Sequence, residues 1–232
     1  MVAALAALAI GASVLATVLA TRSPTLPLDL PLAPIRAAGD PLRLLVLGTS
    51  LTADATWPEA VGRGLSECTG RRVLVDVVAQ PGADVRWGLG AVAKVDGASP
   101  DIVLIEFATN DSDIIDGLFP ARAQELTQRL LGDLGVRFPE ARPVLMTMNP
   151  VSGLVRHLQR PLLGRHDVGY RALAVQDGVG LVDFAPRWAS RPDLASDLPA
   201  GLHPEAATAE AVMLPVLLPY LGAALGVTCP GG

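Results

Sequence analysis

From residue 42 onward, short apolar runs alternate with longer amphipathic stretches, and few folds accommodate that order. Leu42–Leu47, Arg72–Val78, Ile102–Phe107, Pro143–Met148 and Gly180–Phe184 read as strands. Trp57–Glu67, Asp84–Val95, Ala121–Val136 and Gly164–Asp177 read as the helices between them. Glu205–Leu225 reads as a closing helix interrupted by Pro215 and Pro219. Within Ala121–Val136 the apolar residues fall at 126, 130, 131 and 134, which is helical spacing. Parallel neighbours need a crossover, and helices supply it, so the pattern predicts an α/β domain with a mostly parallel five-stranded sheet covered on both faces. Ligands of such sheets bind beyond the carboxyl ends of the strands. Functional residues are therefore expected in the loops that follow strands.

The chain ahead of this domain has a different character. Val2–Ala20 contains no charge and is rich in Ala, Leu and Val. As a helix it would reach about 28 Å, near the thickness of a bilayer core. It has no polar face, which disfavours a buried amphipathic helix. Two readings stand, a cleaved signal peptide and an uncleaved membrane anchor, and both place the domain outside the cytoplasm. Pro24, Pro27, Pro31 and Pro34 forbid a regular helix in residues 21–41, which read as an extended tether. The expected organisation is an export or anchor segment (1–20), a Pro-rich linker (21–41), one domain (42–226) and a short tail (227–232). In an exported protein the two cysteines, Cys68 and Cys229, suggest a disulfide tying the C-terminus to the domain. Two unpaired thiols are the alternative. No Cys or His pair has zinc-ligand spacing. The net charge of −5, with no run of Lys or Arg, argues against nucleic acid as a partner.

The loops after the strands hold the chemistry. They are Gly48-Thr49-Ser50-Leu51-Thr52 after the first, Gln80-Pro81-Gly82-Ala83 after the second and Ala108-Thr109-Asn110-Asp111 after the third. Gly201-Leu202-His203-Pro204 precedes the last helix. A hydroxyl, a flexible backbone amide, a carboxamide and an imidazole thus meet at one sheet edge. A serine hydroxyl attacks a carbonyl poorly until a base takes its proton, the task of an imidazole. The Ser50 and Gly82 N–H groups and the Asn110 amide suit a developing oxyanion.

In order and content these blocks resemble the SGNH (GDSL-type) hydrolase superfamily over roughly residues 42 to 225. The resemblance implies a three-layer flavodoxin-like sandwich. It also implies Ser50 as nucleophile, His203 as general base, and Ser50, Gly82 and Asn110 as the oxyanion hole, with no metal or organic cofactor. The family's Gly-Asp-Ser-Leu is here Gly48-Thr49-Ser50-Leu51, and the leading Gly of Gly-x-Asn-Asp is Ala108. In the family's Asp-x-x-His-Pro, the Asp that orients the base is Ala200 here. Three outcomes follow: Asp197 swings in as the acid, a backbone carbonyl holds His203 in a Ser–His dyad, or the enzyme is weak or inactive. His157 and His166 are expected to be exposed, Glu106 to be paired, and Asp183 to orient something near the site or cap its strand. The expected function is ester hydrolysis through an acyl-Ser50 intermediate. Exported relatives suggest acylated envelope or extracellular polysaccharide as substrate. The alternatives are a non-catalytic binding or assembly protein and an acyltransferase.

Overall fold

The computed structural model describes residues 24–35 and 40–231. The apolar run Val2–Ala20 lies outside them. The domain opens with β1 (Leu42–Gly48), α1 (Ser50–Ala53), α2 (Trp57–Thr69), β2 (Val73–Ala79) and α3 (Val85–Val92). It continues through β3 (Ile102–Ile105), α4 (Ala108–Asp111), α5 (Pro120–Arg137), β4 (Arg142–Thr147), α6 (Leu154–Gln159) and α7 (Leu163–Asp177). It closes with β5 (Gly180–Asp183), α8 (Phe184–Ala189), α9 (Leu194–Asp197) and α10 (Ala206–Ala224). The five strands are all parallel, in the order β2-β1-β3-β4-β5. This is the doubly wound arrangement of flavodoxin-like folds, with its switch point between β1 and β3.

β1, β3, β4 and β5 are mostly apolar and buried because both of their faces are covered, whereas β2, at the sheet edge, is partly exposed at Asp76 and Val77. Leu44 and Val46 of β1, Leu104 of β3 and Met146 of β4 share one core with Trp57, Leu65, Trp188 and Leu217. Leu45, Leu47, Val103, Ile105 and Leu145 point the other way, into a second core with Val85, Leu130, Leu134 and Leu173. Successive side chains of a strand alternate between faces, so one run of sequence feeds both layers.

Three features depart from the expectations. β3 stops at Ile105, because Glu106 turns inward and Phe107 starts the next turn. The closing helix is not interrupted: α10 runs unbroken through Pro215 and Pro219. Met213, Leu217, Leu218 and Leu221 bury its face, which offsets the amide donors the prolines lack. α10 is long and apolar enough to cross a membrane, yet it packs on α2 as part of the domain. Residues 24–35, which read as a tether, are extended but bound along the edge of β5. Leu30 and Leu181 exchange N–H···O bonds as an antiparallel bridge, the Leu28 N–H donates to Asp183 Oδ2, and the Ile35 N–H donates to the Ala224 carbonyl. Arg187 pairs with Asp29 at 2.6 Å. Cys68 and Cys229 form a disulfide.

Candidate active site

Ser50 sits where β1 ends and α1 begins. Thr49 caps that helix, its hydroxyl accepting the Leu51 N–H at 3.1 Å. Beneath it lies Glu106, fully buried at the end of β3. Its carboxylate accepts the Thr49 N–H at 2.6 Å, the Thr49 hydroxyl at 3.0 Å and the Thr52 hydroxyl at 2.7 Å. The loop that carries Ser50 is therefore gripped on both sides of it. The same grip explains Gly48: a Cβ there would overlap Glu106 Oε1 and lie 2.6 Å from Thr52 Oγ1. Burial lifts the Glu106 pKa to about 7, against the hydrogen bonds from Thr49 and Thr52.

The other blocks converge on this loop. The Gln80 N–H donates to the Gly48 carbonyl, which ties the Gly82 turn to β1. Gly82 has φ +78, a conformation most side chains resist. Asn110 is nearly buried, and one N–H of its amide donates to the Ala83 carbonyl at 2.9 Å. The Val85 N–H donates to Asp111 Oδ1 at 2.9 Å, so blocks two and three are bolted together twice. Asp111 is buried, and this pushes its pKa up to about 8. Arg160 completes the support, donating to the Thr109 carbonyl at 3.0 Å and pairing with Asp113 at 3.2 Å.

His203 arrives from the far side. Its Nε2 lies 2.8 Å from Ser50 Oγ. The preceding residue is held by Asn149, whose amide donates to the Leu202 carbonyl at 2.7 Å, and the Ser152 N–H donates to the Gly201 carbonyl. Asn149 was not singled out from sequence, although a polar residue directly after a buried strand was the available signal. Ser50 and His203 edge a pocket of about 240 Å³ whose wall is largely apolar, including Trp57, Met148, Trp188 and Met213.

Ser50, Gly82, Asn110 and His203 thus gather at the carboxyl edge of the sheet. Asp197 does not join them. Arg191 takes both its oxygens, Nη2 donating to Oδ1 at 3.0 Å and Nε to Oδ2. That arginine also stacks over Trp188, 6.0 Å from the ring centroid. Among the described residues, His203 makes a single side-chain hydrogen bond, the one to Ser50. Burial lowers its pKa, as does the positive charge of Arg156 and, to a lesser degree, Arg160, while the Asp54 carboxylate opposes them. Arg156 reaches the Ala200 carbonyl at 3.4 Å, so a cation stands beside the position where the motif's acid would be. His157 is exposed, but His166 is buried, with its pKa lowered to about 4 by desolvation. Asp183 binds Leu28, Thr147 and Arg171 at the outer edge of β5.

A hydroxyl hydrogen-bonded to an imidazole, beside clustered amides at the edge of a parallel α/β sandwich, defines the SGNH acylhydrolase class. The chain belongs to the GDSL-like Lipase/Acylhydrolase family, whose model matches residues 46–211. Among curated protein sequences, none matches. Of solved structures, a lipase/acylhydrolase from Enterococcus faecalis is similar at 20% identity with a TM-score of 0.65, over 73% of this chain and 90% of that one. TesA is similar at 22% identity and a TM-score of 0.60, over 78% and 97%. A mutant of Axe2, an acetyl-xylooligosaccharide esterase of Geobacillus, is similar at 17% identity and a TM-score of 0.62, over 73% and 90%.

Proposed function

We propose that the protein is a serine ester hydrolase that removes short acyl groups outside the cytoplasm. The observation that carries this reading is the 2.8 Å approach of Ser50 Oγ to His203 Nε2 at the mouth of the pocket. His203 takes the serine proton as Ser50 attacks the ester carbonyl, then delivers it to the leaving alcohol. Water, activated by the same imidazole, releases the acyl group from Ser50. The N–H groups of Ser50 and Gly82 and the second N–H of the Asn110 amide face the oxyanion. With Asp197 committed to Arg191, the base works as a dyad. Loss of the acid in a triad costs about 10⁴ in turnover, so slow hydrolysis is expected.

At about 240 Å³ the pocket falls below the roughly 300–1,000 Å³ of drug-sized sites, which favours short acyl groups. An acetylated saccharide is the substrate class we favour, because one similar structure is an acetyl-xylooligosaccharide esterase. The disulfide supports export, since such bonds persist in oxidising compartments. The second reading, a non-catalytic binding protein, rests on the absent acid and the cations facing His203.

A panel of p-nitrophenyl esters from acetate to laurate decides between them. The expected result is preference for acetate, at least about 10³-fold loss in Ser50→Ala, and organophosphonate labelling that requires Ser50. No turnover on any chain and no labelling would overturn the hydrolase in favour of the binding protein.

A further inference from the structure

The carboxyl edge of the sheet carries an apolar surface that neither the fold nor the proposed chemistry uses. Leu154, Val155 and Leu158 of α6 are exposed, Leu154 by 75%. Beside them, Ile114, Ile115 and Phe119 of the loop before α5 are exposed by 62%, 72% and 79%. The two segments are joined where the Ile114 N–H donates to the Gln159 carbonyl at 2.9 Å. α6 has no buried residue at all. Large apolar side chains grouped in this way mark an interaction surface.

The charge around the group selects the partner. From 154 to 165 the sequence is Leu-Val-Arg-His-Leu-Gln-Arg-Pro-Leu-Leu-Gly-Arg, with three arginines, one histidine and no acid, in a chain of net charge −5. Asp113 and Asp116 of the facing loop are the local acids. Asp113 is spent on Arg160, which is buried, so Arg156 and exposed Arg165 are the cations of this stretch; exposed Asp116 stands opposite them, with Arg86 beside it donating to its backbone carbonyl. Apolar side chains interleaved with Arg suit an interface of acyl chains and anionic headgroups.

The path of the chain points the same way. Residues 24–35 run antiparallel to β5, so the Leu26 end lies beside Asp183 and Arg171, at the carboxyl edge, and the Ile35 end lies at the opposite edge. The described chain thus begins at the edge that bears Ser50 and the apolar group, and in the sequence the uncharged run Val2–Ala20 comes just before it.

We propose that this edge docks on an anionic bilayer surface, with Ile114, Ile115, Phe119, Leu154, Val155 and Leu158 entering the headgroup region and the Ser50 site facing the membrane. Docking stands apart from the catalytic reading, and its test does not use turnover. The native cysteines are joined in a disulfide, so a cysteine introduced by Ile115→Cys or Val155→Cys can be labelled alone with an environment-sensitive fluorophore. Val136→Cys, exposed at the end of α5 on the opposite edge, is the reference. The full chain is bound to phosphatidylcholine vesicles containing phosphatidylglycerol. The probes at 115 and 155 are expected to shift to the blue and to be quenched at least twofold by spin-labelled lipid, while that at 136 is not. Quenching should weaken when phosphatidylglycerol is omitted. Equal, water-like emission at all three positions would overturn the proposal. So would a blue shift at 115 and 155 without lipid quenching, which would mean that protein, either the chain's own apolar run or a second copy, covers the group.

Discussion

The hydroxyls on either side of Ser50, those of Thr49 and Thr52, both end on the Glu106 carboxylate, whose pKa burial lifts to about 7. Glu106→Gln keeps an acceptor for the Thr49 N–H, and the hydroxyls can turn to accept from the new amide. Glu106→Ala strands one N–H and two hydroxyls in the core. It is expected to cost about 2–4 kcal/mol in urea unfolding and at least about tenfold in ester turnover, with Glu106→Gln within about threefold of the parent. The folded pKa lies above the unfolded one near 4.5, so the group's stabilisation is full below that pH and is lost as pH rises through about 7. That part of the decline between pH 5 and 8 should vanish in Glu106→Gln. At His203 the sign is opposite in origin: burial and Arg156 disfavour the imidazolium. The acid limb of kcat/KM should therefore lie below the usual imidazole range. Arg156→Gln should raise it and Asp54→Asn should lower it, in pH–rate profiles on one soluble ester. Ser50 and His203 were legible because their chemistry stood at loop ends in a recognisable order. The role of Glu106 was not, since its partners lie more than fifty residues away. Nor was the fate of Asp197, which a local arginine claims.

At the scale of elements, the strands were readable because parallel strands buried on both faces are continuous apolar runs. The prolines of residues 24–35 rightly implied extension, but proline content says nothing about what an extended segment binds. The partner is the β5 edge, and Asp183 is its anchor, fully buried and shared among the Leu28 N–H, the Thr147 hydroxyl at 2.7 Å and Arg171. Asp183→Ala leaves Arg171 without its carboxylate and frees the segment. Removing one partner of a buried pair costs about 3–5 kcal/mol. Limited proteolysis read by mass spectrometry is expected to show new cleavage between residues 24 and 35. The milder Asp29→Asn, which weakens the Arg187 pair nearer the surface, should give less. Unchanged protection in both variants would show that the backbone contacts, the Leu30–Leu181 bridge and the bonds at Leu26 and Ile35, hold the segment without these carboxylates.

The molecule as a whole is polarised along its strands. The carboxyl edge holds Ser50, His203, the apolar group and the point where residues 24–35 begin. The amino edge holds the disulfide, which joins the end of α2 to the residues after α10. The bond spans 161 residues of sequence, nearly the whole domain. In the chain-entropy view a loop of that length restricts the unfolded state by about 5 kcal/mol, with about 3 kcal/mol typical of what is measured. For a domain of this size that is about 6–12 °C in Tm. Cys229 is also buried in the core against Gly222, so its replacement must spare that packing. The double variant Cys68→Ala/Cys229→Ala and the reduced parent should therefore lose similar stability, and reductant should leave the variant unchanged. The bond lies at the edge away from Ser50, so turnover at 25 °C should persist in both while Tm falls. A drop in turnover that precedes any loss of stability would mean that the two edges are mechanically coupled through the sheet, contrary to this division.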